Sequence, residues 1–493
     1  MKHIAAILLL LLASVPLGAQ QFIGCRINSG WAETPMLRTT FNLKASDFAT
    51  TRPGDTIAFS ISVASLGYHE VYVNGRMVGD MVLQPAVSQL DKQALMVNYD
   101  ITDLVREGEN EVMLWLGQGW GRIYGTPAAA WAMVERTASL VGSGEWIVDS
   151  TRGQVLPTTH YQLPTICPAS TDSTWQASPS PYSYTGSWKP LQFGGERYDA
   201  RVKESWRPAT IWDAGSQPEI TSQDFEGNRI VGGLQPQSVD TLPDGTLLFD
   251  FGRVVTGWFQ LDCLPIPEGD SITMEYLDHP DAKPPHSETD IYVSDGTGDD
   301  DIHFTNRFHM HSFRYVRAKG ASVVSAHALQ ISAVDPAGGA TFECSDPRLN
   351  AIHDMVKYTL SCLTFSGYMV DCPHIERMGY GGDGNPPTNT LQNLWDVRDT
   401  YSQWMRAWQD ALAGIRPDPE RPGYRHFYID PQPCEGIEWV RATKPTRYGD
   451  ITVECANGTI TVTVPEGTTA TAFPHSARRR TLAPGKWTLE IGQ

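Results

Sequence analysis

Charge is scarce in this chain, and positive charge scarcer still. Only 19% of the 493 residues are charged, and 38 Lys and Arg face 56 Asp and Glu, for a formal net charge of -18. A surface that acidic repels phosphate backbones, so nucleic acid is not an expected partner, while neutral or cationic substrates stay open. The eight cysteines, at positions 25, 167, 263, 344, 362, 372, 434 and 455, include no CxxC pair. A zinc cluster or a thioredoxin-like site therefore has no support. Neither GxSxG nor HExxH occurs, and no internal repeat is found. Beyond the N-terminus no run of 18 apolar residues exists, so no membrane span is expected.

What is present is enough for several packed cores. Hydrophobic residues make up 41% and aromatics 10%, and 44 Gly with 34 Pro suit turn-rich β structure better than a coiled coil or helical array. At about 150 residues per domain, the length suggests some three domains. The first 19 residues form an expected signal peptide: Lys2 and His3, an apolar run from Ile4 to Leu12, then Gly18 and Ala19, with cleavage after Ala19. That implies a secreted or periplasmic location. Phe22-Ile23-Gly24-Cys25 loosely resembles a lipoprotein cleavage box, but it sits well beyond the apolar run, which favours plain secretion.

From Leu37 to about Gly125 the pattern is β. Residues 56–63 alternate as a half-buried strand, and Val71–Val73 and Met77–Val78 flank Asn74-Gly75, a two-residue type I′ hairpin signal. Residues 111–116 read as another strand. Residues 150–190 are rich in Ser, Thr and Pro and read as loops at a domain border. A second β region spans roughly Trp206 to Ser332, with strands near 246–251, 257–263, 271–276 and 313–318. Then the period changes. Asp346 can cap a helix with Pro347 at its first position, and Leu349, Ile352, Val356, Leu360 and Leu363 fall at helical spacing. A second stripe runs Leu391, Leu394, Val397, Tyr401, Trp404, Trp408. After Pro417 the β signal returns, with strands at 451–453 and 460–464 around Asn457-Gly458.

The loop between the two helical stripes, DCPHIERMGYGGD over 371–383, is the best candidate for chemistry. It packs Asp371, Glu376 and Asp383 beside Arg377 and three glycines, with a fourth at Gly384 just beyond. Crowded carboxylates raise one another's pKa, which is how a glycosidase keeps a neutral acid near pH 7. From spacing alone, an ordinary solvated loop with a salt bridge from Arg377 is the stronger reading. Other candidates are weaker. Gly117-Gln118-Gly119-Trp120-Gly121 opens no phosphate-binding helix. Asp295, Asp299, Asp300 and Asp301 lack the regular alternation of a calcium loop and read as a solvated turn. His303, His309 and His311 alternate along one apparent strand, and a partly exposed strand surface explains them better than a metal face.

Resemblance carries the argument further. The 371–383 loop is similar to the catalytic signature of bacterial α-L-rhamnosidases, glycoside hydrolase family 78. Residues 66–75 (LGYHEVYVNG) through Gly79-Asp80, Tyr99-Asp100 and 116–120 (LGQGW) resemble that family's N-terminal β-sandwich, and 195–201 (GERYDAR) its linking segment. Asp250-Phe251-Gly252, Gly257-Trp258 and Phe313-Arg314-Tyr315 resemble its concanavalin-like domain, and 413–431 the chain leaving the catalytic barrel. The resemblance implies an inverting hydrolase that removes terminal α-L-rhamnose, with a rhamnose-containing carbohydrate as substrate, no cofactor and no metal. Glu376 falls where the family carries its general acid. Asp371, Arg377 and Asp383 fall on positions that hold the sugar and tune the acid. Tyr380 stands where a Trp is usual, and keeps an aromatic edge; Ser312 replaces a usual Gly.

The implied organisation is a signal peptide (1–19), an N-terminal β-sandwich with linker (20–205), a concanavalin-like β-sandwich (206–335), a truncated all-α (α/α)6-barrel piece (340–412) and a C-terminal β-sandwich (413–493). The barrel piece is the departure. Twelve helices with their loops need on the order of 190 residues, and the stretch here has room for about three. A block is missing near 409–413, and no carboxylate matches the family's general base. Impaired hydrolysis is therefore expected, together with exposed apolar faces on helices that have lost their neighbours. The other reading carried forward is a non-catalytic secreted carbohydrate-binding protein. Oligomeric state and aglycone preference are not legible.

Overall fold

The structure is a computed structural model. It describes residues 22–27, 30–49, 56–122, 132–141, 146–149, 154–157, 160–162, 171, 174–187, 191–212, 218–284, 287–296, 302–379, 384, 387–397, 413–418, 424–431, 438–446, 448–473 and 479–490. The signal peptide therefore lies outside the described residues. The fold is multidomain and mostly β, and the chain divides into two compact units, Met1–Asp396 and Val397–Gln493.

The first unit opens with two facing sheets. In one, Thr56–Ser65 lies between Ala132–Val141 and Gln93–Asp100; in the other, Gly108–Gly117 lies between Met36–Leu43 and Tyr68–Val73. Period-2 alternation turns Ile61, Val63 and Val97 of one sheet toward Leu37, Val71 and Leu114 of the other, and all are buried in one core. The expected hairpin is present: Tyr68–Val73 pairs with Arg76–Met77, and Asn74 and Gly75 both have positive φ, 51° and 76°, as type I′ requires. The glycine-rich stretch that follows is a close-approach device. A Cβ on Gly117 would stand 2.3 Å from Phe308 Cγ, and one on Gly119 2.8 Å from the Tyr68 ring, so the strand end seats directly on aromatic side chains.

The next layer is a ten-stranded sheet centred on Leu247–Cys263, a single 17-residue strand where two were expected. Its pairing with His311–Lys319 shifts register between Asp250 and Val255, at Gly252 with φ +77°. This kink looks like a turn in the sequence, but the strand stays paired with His311–Lys319 on both sides of it and from Gly257 onward takes Val323–Ser332 as its other neighbour. The sheet closes over Phe249, Phe251, Phe259, Tyr276 and Phe313.

The capped helix forms as expected over Pro347–Leu363, with the Asp346 side chain accepting from the Arg348 amide and Pro347 in the first turn. Its packing differs from the expected stripe. The buried face is Lys357, Leu360, Ser361 and Cys362. Lys357 Nζ donates to the Ala340 carbonyl at 3.0 Å, Gln330 to Ser361 at 2.9 Å, and the Tyr358 hydroxyl to the Val254 carbonyl at 2.8 Å. Leu349, Ile352, Met355 and Val356 are 50%, 51%, 61% and 38% exposed. Each forgoes roughly half of the 1.5–3 kcal/mol that full burial would bring. The chain should therefore bind a hydrophobic-surface dye strongly, and Leu349→Ser with Ile352→Ser should cut that fluorescence by about half at little cost in melting temperature. A weak signal that the double substitution leaves unchanged would refute this. The second helical stripe is corrected where described: the helix is only Thr388–Leu394, and Trp395 already caps it in extended conformation. Val397 lies beyond it, and Tyr401, Trp404 and Trp408 lie outside the described residues.

The second unit pairs two four-stranded sheets, one with Trp439–Thr446, Gly449–Ala456, Thr459–Val464 and Gly485–Glu490, the other with Ile415–Pro417, His426–Ile429, Thr469–Ala472 and Arg480–Leu482. Ile451, Val453, Ile460 and Val462 meet Ile415, Phe427 and Ile429 in its core. Asn457 and Gly458 make the expected turn, with φ 49° and 73°.

Candidate active site

The candidate loop begins as a tight turn. After the short strand Tyr368–Met369, the Cys372 carbonyl accepts from the amides of Ile375, Glu376 and Arg377 at 3.0, 3.1 and 3.1 Å. The Asp371 amide donates to the Met378 carbonyl at 3.0 Å, and the Met378 amide to Asp371 Oδ1 at 3.2 Å, closing the base. Pro373 suits such a turn, since its missing N–H is not needed there. The turn's sequel, Tyr380 and Asp383, lies outside the described residues.

Asp371 and Glu376 are brought together, both half-buried. Burial raises the Asp371 pKa above the ordinary carboxylate value; the neighbouring Glu376 charge and a hydrogen bond shared with Glu376 push the same way, against backbone donors at Cys372 and Met378. Crowding by Glu376 thus adds to burial in raising Asp371.

Arg377 is not where a sugar could reach it. Its side chain has no exposed surface. The guanidinium pairs with Glu288 at 2.7 Å through Nη2, donates from Nε to the Pro373 carbonyl at 2.8 Å, lies 3.3 Å from His309 Nε2, and sits 4.4 Å over the Phe193 ring. A solvated salt bridge from Arg377 is therefore corrected to a buried one, and direct sugar contact by Arg377 finds no surface to act through.

The histidines expected on a partly exposed strand surface are divided. His303 is exposed and pairs with Asp262 at 2.6 Å. His309 and His311 are fully buried. His311 bridges two acids, Glu288 at 2.7 Å through Nδ1 and Asp290 at 3.1 Å through Nε2, and stacks on Tyr276 at 3.6 Å. Burial alone would lower its pKa, but the Asp290 charge and hydrogen bonds to both acids raise it to about 9. His309, desolvated and beside Arg377, is held well below its usual value. Glu196 is pushed up to about 8 by burial and by Asp290, against amide donors at Arg307 and Phe308.

Sequence reasoning missed Glu288, Asp290 and Glu196. A signal existed in the i, i+2 pairs Glu288/Asp290 and His309/His311, but using it required knowing that the strands carrying them come together. Among the described residues no group of three or more His, Cys, Asp or Glu is arranged to hold a metal ion. Asp295 pairs instead with Lys203 at 3.2 Å, while Asp299, Asp300 and Asp301 lie outside the described residues. A groove of about 490 Å³ opens against Pro373, His374, Tyr358 and Asp278, but neither Asp371 nor Glu376 lines it.

Four family models match in chain order: the alpha-L-rhamnosidase N-terminal domain at 56–231, then the bacterial alpha-L-rhamnosidase concanavalin-like domain at 240–334, its 6 hairpin glycosidase domain at 338–440 and its C-terminal domain at 414–486. This chain belongs to the bacterial α-L-rhamnosidase family.

Among curated relatives of this rhamnosidase-family chain, an alpha-L-rhamnosidase of Formosa agariphila is 31% identical over 370 residues, covering 70% of the chain. One of an Alteromonas species is 22% identical over 453 residues, covering 84%. The chain spans only 37% and 43% of those relatives' lengths. The fold also resembles the alpha-L-rhamnosidase structure from Dictyoglumus thermophilum, with a TM-score of 0.59 at 12% identity over 95% of this chain and 86% of that one. A Streptomyces avermitilis alpha-L-rhamnosidase complexed with L-rhamnose gives 0.55 at 15% identity, over 93% and 71%. In this rhamnosidase-family chain, Glu288 and His311 belong to the stretch matching the concanavalin-like domain and Arg377 to the stretch matching the glycosidase domain.

Proposed function

We propose that the chain is an α-L-rhamnosidase-type glycoside hydrolase directed at terminal α-L-rhamnose of glycans or glycosides, with Glu376 as general acid. The observation that carries the reading is the Asp371–Glu376 pair, two half-buried carboxyls sharing a hydrogen bond on one glycine-rich turn, within the stretch matching a glycosidase domain. A general acid must reach the leaving glycosidic oxygen, and the turn sets Glu376 beside a second carboxyl, Asp371, that can hold the sugar.

The pair is not an acid–base couple for inversion. An inverting site needs its second carboxylate roughly 6.5–9.5 Å away, across the sugar from the acid, with a water between. Carboxyls that share a hydrogen bond stand at about 3 Å, so Asp371 and Glu376 address the same side. Asp371 is then a sugar-holding and acid-tuning group, joined by Asp383 and the aromatic edge of Tyr380, while Arg377 acts from inside the fold. Residues 340–412 are read as a shortened (α/α)6 barrel lacking a block near 409–413, between β domains at 20–205 and 206–335 and a C-terminal β domain at 413–493. A leader over 1–19 would send the protein to the periplasm or outside.

The test is a graft. The barrel segment of the Formosa agariphila relative is inserted between Gln409 and Ala413, and rhamnose release from an aryl α-L-rhamnoside is measured. Release that arises with the insertion and disappears on Glu376→Gln supports the reading. A folded chimera without release, or release indifferent to Glu376→Gln, sinks it.

A further inference from the structure

We propose that Arg377, Glu288, His311 and Asp290 form a buried relay through which the concanavalin-like domain holds the acid-bearing turn in register, making Glu288, His311 and Asp290 positioning residues for Glu376. The inference rests on the reading of Glu376 as the acid, and it names groups that reach the turn from another part of the chain.

The turn needs an external hold. Its closing residue, Arg377, has φ +56°, the left-handed region that a non-glycine residue occupies only when its surroundings compel it. The compulsion is visible atom by atom. Through Nε the guanidinium donates back to Pro373 at 2.8 Å, stitching the start of the turn to its end. Through Nη2 it meets Glu288 Oε1 at 2.7 Å, across 89 residues of sequence. The other oxygen of Glu288 meets His311 Nδ1 at 2.7 Å, and His311 Nε2 lies 3.1 Å from Asp290. Asp290 is fixed in turn by the Glu196 amide at 2.6 Å and the Asn306 side-chain amide at 2.6 Å. A second tether runs beside the relay, from the Leu191 amide to the Ile375 carbonyl at 2.9 Å.

Every member has zero exposure. Buried charges are tolerated only when paired and hydrogen-bonded, and here two cations alternate with two anions, so the line is neutral as a whole. The raised His311 pKa keeps its imidazole charged through neutral pH and preserves that alternation. Breaking the line at Arg377 would leave Glu288 with His311 alone and release the C-terminal end of the turn that carries Glu376. A pair that served the sandwich alone would instead loosen the sandwich.

Amide hydrogen exchange of the full chain, read by mass spectrometry, separates these. In Arg377→Ala and in Glu288→Gln, exchange of the Ile375, Glu376 and Arg377 amides should rise at least tenfold, while strands Leu247–Cys263 and Ser271–Leu277 keep their protection. Arg377→Lys should restore part of the protection. Should Arg377→Ala fail to fold, Glu288→Gln carries the test, since it keeps the shape and removes the charge. Unchanged exchange at the turn, or a rise spread evenly over the sandwich strands, overturns the relay. Rhamnose release is not part of this readout, so a failure of the catalytic reading would show in the graft and leave this result standing.

Discussion

Incubated with an aryl α-L-rhamnoside, the chain as it stands should release its phenol about 10²–10⁴-fold more slowly than the barrel-restored graft, because a positioned general base contributes that much. Inversion requires attack by water from the face of the sugar opposite the leaving oxygen, and the two described acids of the turn lie within hydrogen-bonding range of each other, too close to face one another across a sugar. An acid alone protonates the leaving group and leaves the water unactivated. The pH profile should change shape as well as height. With acid and base both present it is a bell; with Glu376 alone it should fall on the alkaline side and stay level on the acid side. Glu376→Gln should remove the remainder. Vigorous release with a bell-shaped profile, lost in Glu376→Gln, would reveal a working base elsewhere in the chain and overturn the expectation.

What the sequence discloses about this fold is the part governed by local chemistry. Asn74-Gly75 and Asn457-Gly458 make hairpins because two adjacent positions accept positive φ. Asp346-Pro347 starts a helix because the carboxylate takes an amide the helix leaves unpaired and the proline does not need one. The strand break expected near residue 252 is wrong for an equally local reason: a glycine between Asp250 and Arg253 suggests a turn, whereas a register shift in a continuous strand needs the same freedom. Asp371 and Glu376 were legible as neighbours since five residues of tight turn can hardly separate them. Arg377 was not. A lone arginine in a polar loop reads as solvated, and its burial depends on Glu288, whose position is decided by which strands pair. The mismatch between the apolar stripe and the buried face of helix Pro347–Leu363 has the same origin, because periodicity identifies a face and cannot tell whether anything packs on it.

The same buried groups predict a stability maximum near pH 6.5, falling on both sides. His69 lies in the N-terminal sandwich between the Ser65 hydroxyl at 2.8 Å and the Tyr99 hydroxyl at 2.9 Å, and burial lowers its pKa to about 3. Between pH 6.5 and 3 the unfolded chain takes up a proton there that the folded chain refuses, so stability falls as the pH falls. His311 works in the opposite window. Its folded pKa of about 9 exceeds the unfolded value near 6.5, so its contribution is whole below pH 6.5 and drains away as the pH rises through 9. Glu196, raised to about 8, acts in the same direction, its contribution lost between about 4.5 and 8; on the acid side that is offset by His309, which burial and Arg377 hold well below its usual value and which therefore loses stability alongside His69 as the pH falls below 6.5. Each histidine's contribution, once fully lost, is on the order of 3–5 kcal/mol, enough to lower a melting temperature by several degrees. Melting curves from pH 4 to 9.5 should therefore form a dome, with His69→Gln flattening its acid limb and His311→Gln its alkaline limb. The two substitutions should also differ in where they act: His311→Gln should loosen the acid-bearing turn along with the alkaline limb, since Glu288 holds Arg377 and His311 with its two oxygens, whereas His69→Gln should leave the turn untouched. A melting temperature level across that range would mean that neither imidazole differs in protonation between the folded and unfolded chains, and the charged relay would lose its cation at His311.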